Sequence, residues 1–155
     1  MQNTHILQVL PVKEMLSKVN KLAEEVTENM DKYELGIAVQ KVYDFIWEEF
    51  CDWYIEMVKP RLYNEEDTTK AAALWTLKTV LGNALKLLHP YMPFITEEIY
   101  CTLRPEEESI MIASWPERKA EWDFEADEVL EQYKFFVDSP NLGTDTDGTV
   151  RIVRR

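Results

Sequence analysis

Glycine, cysteine, histidine and positive charge are all scarce in this 155-residue chain, and each scarcity removes a class of chemistry. Its 4 glycines are too dispersed to form a Gly-rich loop that cradles phosphates. Cys51 and Cys101 do not form a Cys-x-x-Cys pair, and with His5 and His89 they give no zinc-ligand spacing. Both cysteines lie in apolar helical patterns, which reads as buried free thiols of a cytoplasmic protein rather than a disulfide. No apolar run reaches the roughly 20 residues of a membrane span. Met1-Gln2-Asn3-Thr4 does not open a secretory leader. Lys and Arg number 17 against 29 Asp and Glu, a formal charge of −12. That balance excludes broad, nonspecific nucleic-acid binding, which needs cations to displace counterions from phosphates. It leaves room for a site that reads a few unstacked bases by stacking and base-edge hydrogen bonds.

What is present is a helix-forming pattern in a chain that is 46% hydrophobic. Val12, Met15, Leu16, Val19, Leu22, Ala23, Val26 and Met30 recur at three- and four-residue steps. They predict a helix from about Pro11 to Met30, with Lys13, Glu14, Ser17, Lys18, Lys21, Glu24, Glu25 and Glu28 off the stripe. Asp31-Lys32-Tyr33 predicts a short turn. A second helix, from about Glu34 to Lys59, should bury Val39, Val42, Tyr43, Ile46, Phe50, Trp53, Tyr54 and Met57 and stop at Pro60. Gly36 near its start suits close approach of a neighbouring helix. Asp67 or Thr68 should cap a third helix reaching His89, with Ala71, Leu74, Leu77, Val80, Leu81, Ala84, Leu85 and Leu88 inward. A fourth follows Pro93, turning Phe94, Ile95, Ile99, Tyr100 and Leu103 inward. Ser109–Ala113 predicts a short extended stretch. Phe124 to Val137 is helix-compatible, Asp138 to Gly148 reads as a loop, and Thr149 to Arg155 as a strand or an irregular end. The fold class is therefore all-α, an antiparallel up-and-down four-helix bundle over residues 11–117. Residues 118–155 read as a partly helical C-terminal extension, either non-native or irregular.

Residues 86–98, Lys-Leu-Leu-His-Pro-Tyr-Met-Pro-Phe-Ile-Thr-Glu-Glu, mark a helix–Pro–helix corner. Pro90 should push His89 toward an extended conformation, and Pro93 suits a first helical position. The same string resembles the anticodon-binding domain of class I aminoacyl-tRNA synthetases, in the branch handling valine, leucine and isoleucine. Residues 45–63, which include Glu-Phe-Cys-Asp-Trp-Tyr, are similar to the second bundle helix of valyl-tRNA synthetases. Thr27 to Gly36 resembles the turn before that helix, and Trp115-Pro116 the Trp-Pro that follows a short extended segment. The resemblance covers roughly residues 15–117.

The resemblance implies a portion of a larger valine–tRNA ligase. That parent would use ATP and Mg²⁺ and would work in the cytoplasm. This segment lacks the His-x-Gly-His and Lys-Met-Ser-Lys-Ser-type motifs of the catalytic domain. It is expected to have no catalytic residue, cofactor or metal of its own. Its partners would be the anticodon loop of a tRNA and the catalytic domain of the same parent chain, with no membrane. By family position, Lys13, Ser17 and Lys18 in the first helix, and Lys59 and Arg61 around Pro60, would contact the anticodon loop. Glu14 stands where the family has a base-stacking aromatic. Either the segment before about residue 15 is non-native or the stacking partner lies elsewhere. The plainer readings are a solvated helix face for Lys13 and Lys18, and cations favoured at a helix C-terminus for Lys59 and Arg61. Trp53 and Tyr54 read as core. Trp47 and Trp75 sit near stripe edges, and His89 reads as satisfying a helix end. The alternatives are the same domain of a leucine or isoleucine enzyme, and a stand-alone acidic helical module that binds proteins.

Overall fold

A computed structural model describes residues 2–123, 142–144 and 150–152, with side chains described for 11–123. The chain divides into two compact units, Met1–Phe124 and Glu125–Arg155. The described part of the first unit is helical: α1 (Gln2–Asp31), α2 (Leu35–Asp44), a π-helical stretch (Phe45–Ile55), α3 (Glu56–Tyr63), α4 (Lys70–Leu88) and α5 (Pro93–Leu103). Single 3₁₀ turns follow at Ile110–Ile112 and Ala120–Trp122. In the second unit, β1 (Leu142–Thr144) and β2 (Val150–Ile152) pair antiparallel with Gly143 opposite Arg151. The strand reading of the chain end is the one realised, and β1 lies where a loop was expected. The predicted helix at 124–137 lies outside the described residues.

The first apolar stripe behaves as its period requires. Met15, Leu16, Val19, Leu22, Ala23 and Val26 are buried, and Val12 and Met30 pack against them. Each such Val, Leu or Met side chain removed from water contributes about 1.5–3 kcal/mol. The helix starts earlier than expected, since α1 runs through Pro11. Proline there costs one helical hydrogen bond without ending the helix. Glu14 is not off the stripe but only 6% exposed, with Lys18 Nζ 3.5 Å away.

The predicted turn forms at 32–34. Tyr33 takes a left-handed φ of 61°, and the Glu34 N–H donates to the Asn29 carbonyl at 2.8 Å. This closes α1 with the left-handed residue that commonly ends helices. The next helix then runs alongside α1 on three rungs: Asn29–Glu34 at 2.7 Å, Glu25–Lys41 at 3.0 Å and Lys18–Glu49 at 2.5 Å.

Four features of that helix differ from the sequence expectation. Its middle is π-helical, where hydrogen bonds reach i+5 and the turn is wider. The buried positions are therefore Ala38, Val42, Phe45, Phe50, Tyr54 and Val58, with a five-residue step from Phe45 to Phe50. Tyr43, expected inside, is 58% exposed. Pro60 does not stop the helix but lies within α3, on an exposed position where its ring meets solvent. Gly36 stands in open space and accommodates no neighbour. The close-approach glycine is Gly82, where an added Cβ would lie 3.3 Å from Arg104 Nε.

α4 is preceded by Thr69 rather than capped by Asp67 or Thr68. Asp67 Oδ1 instead accepts from the Thr69 N–H at 2.7 Å and from its hydroxyl, organising the turn that leads in. α4 serves two cores. Ala73, Val80, Ala84 and Leu87 join the main cluster. Leu85 packs with Tyr100 and Ile110 in a second one, and Leu81 packs against both. A helix apolar nearly all round gives no unique stripe, so Ala71 and Leu74, expected inside, are exposed. In α5 the buried residues are Thr96 and Tyr100. Phe94, Ile95 and Ile99 are exposed, contrary to expectation. Ser109–Ala113 is a 3₁₀ turn between extended flanks, because Ile110 alone turns inward while Glu97 Oε2 accepts its N–H at 3.1 Å.

The corner at 86–98 is built by side chains. His89 stays helical at φ −53° and ψ −41° despite Pro90. Its N–H donates to the Leu85 carbonyl at 2.8 Å, and its Nδ1 lies 2.7 Å from Thr96 Oγ1 in α5. Pro93 opens α5 as expected. Beyond the corner, Trp115 Nε1 donates to Thr27 Oγ1 at 2.9 Å. Buried Asn20 brackets Lys119, accepting its N–H at 2.6 Å and donating to its carbonyl at 2.9 Å. Residues 118–123 thus pack on α1, beyond the expected domain boundary at 117.

Candidate functional site

The five residues singled out from the sequence fall into two groups. Lys13, Ser17 and Lys18 stand on α1, and Lys59 and Arg61 flank Pro60 in α3. Lys13 is exposed and Ser17 half-buried. Lys18 is the most constrained of the five. Its ammonium sits 2.5 Å from Glu49 and 3.5 Å from buried Glu14, so two carboxylates share its charge. An RNA phosphate competing for Lys18 has to displace at least one of them, which weakens any such contact.

Lys59 is exposed and bonded to Glu56 one turn back, and that hydrogen bond pushes its ammonium above the ordinary value. Arg61 is half-buried in the last turn of α3. Its charge helps hold the Asp67 carboxyl below the ordinary range, behind the larger effect of the two Thr69 hydrogen bonds. It also opposes the burial that pushes the Tyr54 hydroxyl up to about 12. The cations of this end are therefore placed within reach of carboxylates, as expected in a strongly acidic chain.

The aromatic residues sort by exposure. Tyr54 is fully buried and packs on Phe50 at a centroid distance of 6.2 Å, so it is core. Trp53 is half-buried. Trp47 and Trp75 are 58% and 53% exposed, and Trp75 meets Trp122 edge-on at 6.5 Å. Sequence reasoning passed over Tyr63, which is 83% exposed at the last position of α3, beside Lys59 and Arg61. The signal was available: Tyr63 is an aromatic among polar residues at a helix end, off any apolar stripe. A flat, exposed ring next to two cations is what stacking on an unpaired base requires. His89, as read, serves the helix corner.

Among the described residues no group of three or more His, Cys, Asp or Glu could hold a metal ion. No described helix is long and apolar enough to cross a membrane.

Comparison with known proteins gives a consistent result. The family model for the anticodon-binding domain of tRNA ligase matches residues 12–139. A valine–tRNA ligase of Clostridium perfringens is 63% identical over 102 residues, which is 66% of this chain and 12% of that protein. The Clostridium tetani valine–tRNA ligase is 54% identical over 107 residues, 69% of this chain and 12% of the relative. That of Oceanobacillus iheyensis is 47% identical over 114 residues, 74% and 13%. The chain thus spans about an eighth of the length of these relatives.

Proposed function

The chain belongs to the anticodon-binding domain family of tRNA ligases, and from that premise we propose that it is the tRNA-reading part of a valine–tRNA ligase. The observation that carries this reading is 47–63% identity to three valine–tRNA ligases across about two thirds to three quarters of the chain. The parent enzyme attaches valine to its tRNA in the cytoplasm with ATP and Mg²⁺, on a catalytic domain that this segment accompanies. The segment's share is recognition. Binding energy gained at the anticodon loop orients the distant acceptor end, so it lowers the barrier to aminoacylation without touching the reacting atoms.

The arrangement that serves this role is an antiparallel up-and-down bundle of four helices, α2, the π stretch and α3 counting as one. Three rungs support it: α1 residues 29, 25 and 18 descend while their partners 34, 41 and 49 ascend. Continuing that register carries the stretch around Lys13 toward the α3 end with Lys59, Arg61 and Tyr63. Lys13, Ser17, Lys18, Lys59 and Arg61 then border one end of the bundle. There they contact phosphates and base edges, with Tyr63 offering a stacking face. The net charge of −12 makes such binding weak in the isolated chain, and the few cation–phosphate contacts make it salt-sensitive.

The test is titration of the 155-residue chain with a valine tRNA at low salt, against the same tRNA with its anticodon bases changed. Salt-sensitive binding lost on changing the anticodon is the expected result. In the intact ligase, Lys18→Ala with Arg61→Ala should raise KM for tRNA and leave valine-dependent ATP–pyrophosphate exchange untouched. Unaltered aminoacylation kinetics would remove both residues from the interface.

A further inference from the structure

Between α4 and the segment from Ser114 to Trp122 lies a cleft of about 370 Å³, a size that admits one small ligand. Its walls include Asn83 and Lys86 from α4, and Trp115, Glu117, Lys119 and Trp122 from the segment. Two cations and two indoles converge here in a protein of net charge −12.

The two lysines are held differently from the paired cations of the unit. Lys32, Lys41, Arg104 and Arg118 each lie against a carboxylate. Among the described residues, Lys86 and Lys119 have none within ion-pair distance. Each sits over an aromatic ring instead: Lys86 Nζ 5.8 Å from the Tyr100 centroid and Lys119 Nζ 4.3 Å from that of Trp122. A ring holds a cation in place without cancelling its charge. Burial pushes the Lys86 ammonium below its ordinary value, with Arg104 and Lys119 adding repulsion and Glu107 opposing. An anion placed between Lys86 and Lys119 relieves that repulsion.

The walls are also fixed in advance. Asn20 brackets the Lys119 backbone, Arg118 ties the segment to Glu24 at 3.2 Å and to Asp123 at 2.9 Å, and Thr27 pins the Trp115 indole. With Lys119 already over Trp122, Trp115 is the indole left to meet a flat group.

We propose that this cleft binds a single nucleotide, its phosphate between Lys86 and Lys119 and its base against Trp115. This goes beyond anticodon recognition, since none of these residues belongs to the α1 and α3 groups. The nucleotide can be free or one unit of an RNA strand, and the chemistry recognised is the same.

The experiment follows the indole N–H signals of the ¹⁵N-labelled 155-residue chain during titration with AMP, inorganic phosphate, and a 5′-phosphorylated oligouridylate. AMP is expected to move the Trp115 and Trp122 signals and to leave Trp47 and Trp53 in place. Phosphate alone should bind at least about fivefold more weakly, for want of stacking. Lys86→Gln with Lys119→Gln should cost about tenfold or more in affinity and flatten the salt dependence, with Lys→Arg at both positions retaining most of it. Tighter binding of the oligonucleotide than of AMP assigns the site to an RNA strand, and equal binding to the free nucleotide. No movement of Trp115 or Trp122 with either at about 10 mM overturns the proposal. So does phosphate binding as well as AMP, or a double-Gln variant that is folded by circular dichroism and binds undiminished. Lys18→Ala with Arg61→Ala should leave the AMP response intact, so this inference and the anticodon reading stand or fall separately.

Discussion

Replacing Asn20 by alanine should unfasten the last described segment of the helical unit. Asn20 is 2% exposed on α1 and makes three hydrogen bonds to residues about a hundred positions away. Its amide donates to the Lys119 carbonyl and to Asp123 Oδ1, and its oxygen accepts the Lys119 N–H. Each such bond contributes about 0.5–1.5 kcal/mol net. Lys119 and Asp123 are exposed and regain water when released, which places the total toward the lower half, about 2 kcal/mol. With a urea m-value of about 1.5 kcal/mol/M, the midpoint of helix loss by circular dichroism should fall by about 1.3 M. Asn20→Asp should be worse at neutral pH, because it keeps the acceptor, loses both donors and sets a second carboxylate against Asp123. A loss under about 0.5 kcal/mol for Asn20→Ala would refute the claim that this side chain secures the segment.

Pro60→Ala should stabilise the chain by about 1 kcal/mol, read as a higher urea midpoint, because alanine restores a helical N–H at an exposed interior position while surrendering part of the unfolded-state advantage of proline. Acid should weaken the fold through carboxyls held low by their partners. Asp67 is lowered chiefly by Thr69, Glu97 by Ser109, and Asp123 by Arg118. Because their folded-state values lie below the unfolded ones, the stability they add is complete above the ordinary carboxylate range and is lost as pH falls through the lowered values. Asp67→Asn should therefore lower Tm at pH 6 more than at pH 2, and an equal drop at both would remove Asp67 from that account.

The recognisable string at 86–98 illustrates how far a sequence can be read. It announced a corner, which follows from local chemistry, with Pro93 at a first helical position and an apolar helix before Pro90, and by resemblance alone it pointed to a family. Most of its side chains turn out to be structural. His89 and Thr96 pin the corner, Glu97 holds the Ile110 turn, and Leu87 fills the main core. Most of this string thus serves folding, while the residues proposed for tRNA contact stand elsewhere, Lys13, Ser17 and Lys18 on α1 and Lys59 and Arg61 at the end of the other matching string. Tyr63 and the Lys86–Lys119 cleft were missed for a related reason. Neither carries a spacing signature, and the cleft joins residues more than thirty positions apart.

Helix content, the turn at 31–33 and the first buried stripe were legible from the chain alone, because they depend on neighbours three or four residues away. Which faces of the later helices are buried was not. The π-helical stretch shifts the buried positions of its helix. α4 meets neighbours on two sides, and its nearly uniform apolar surface could not declare which. Those outcomes, and the bracketing of Lys119 by Asn20, were decided in three dimensions, where a hydrogen bond or a packed methyl depends on distance in space and not on separation along the chain.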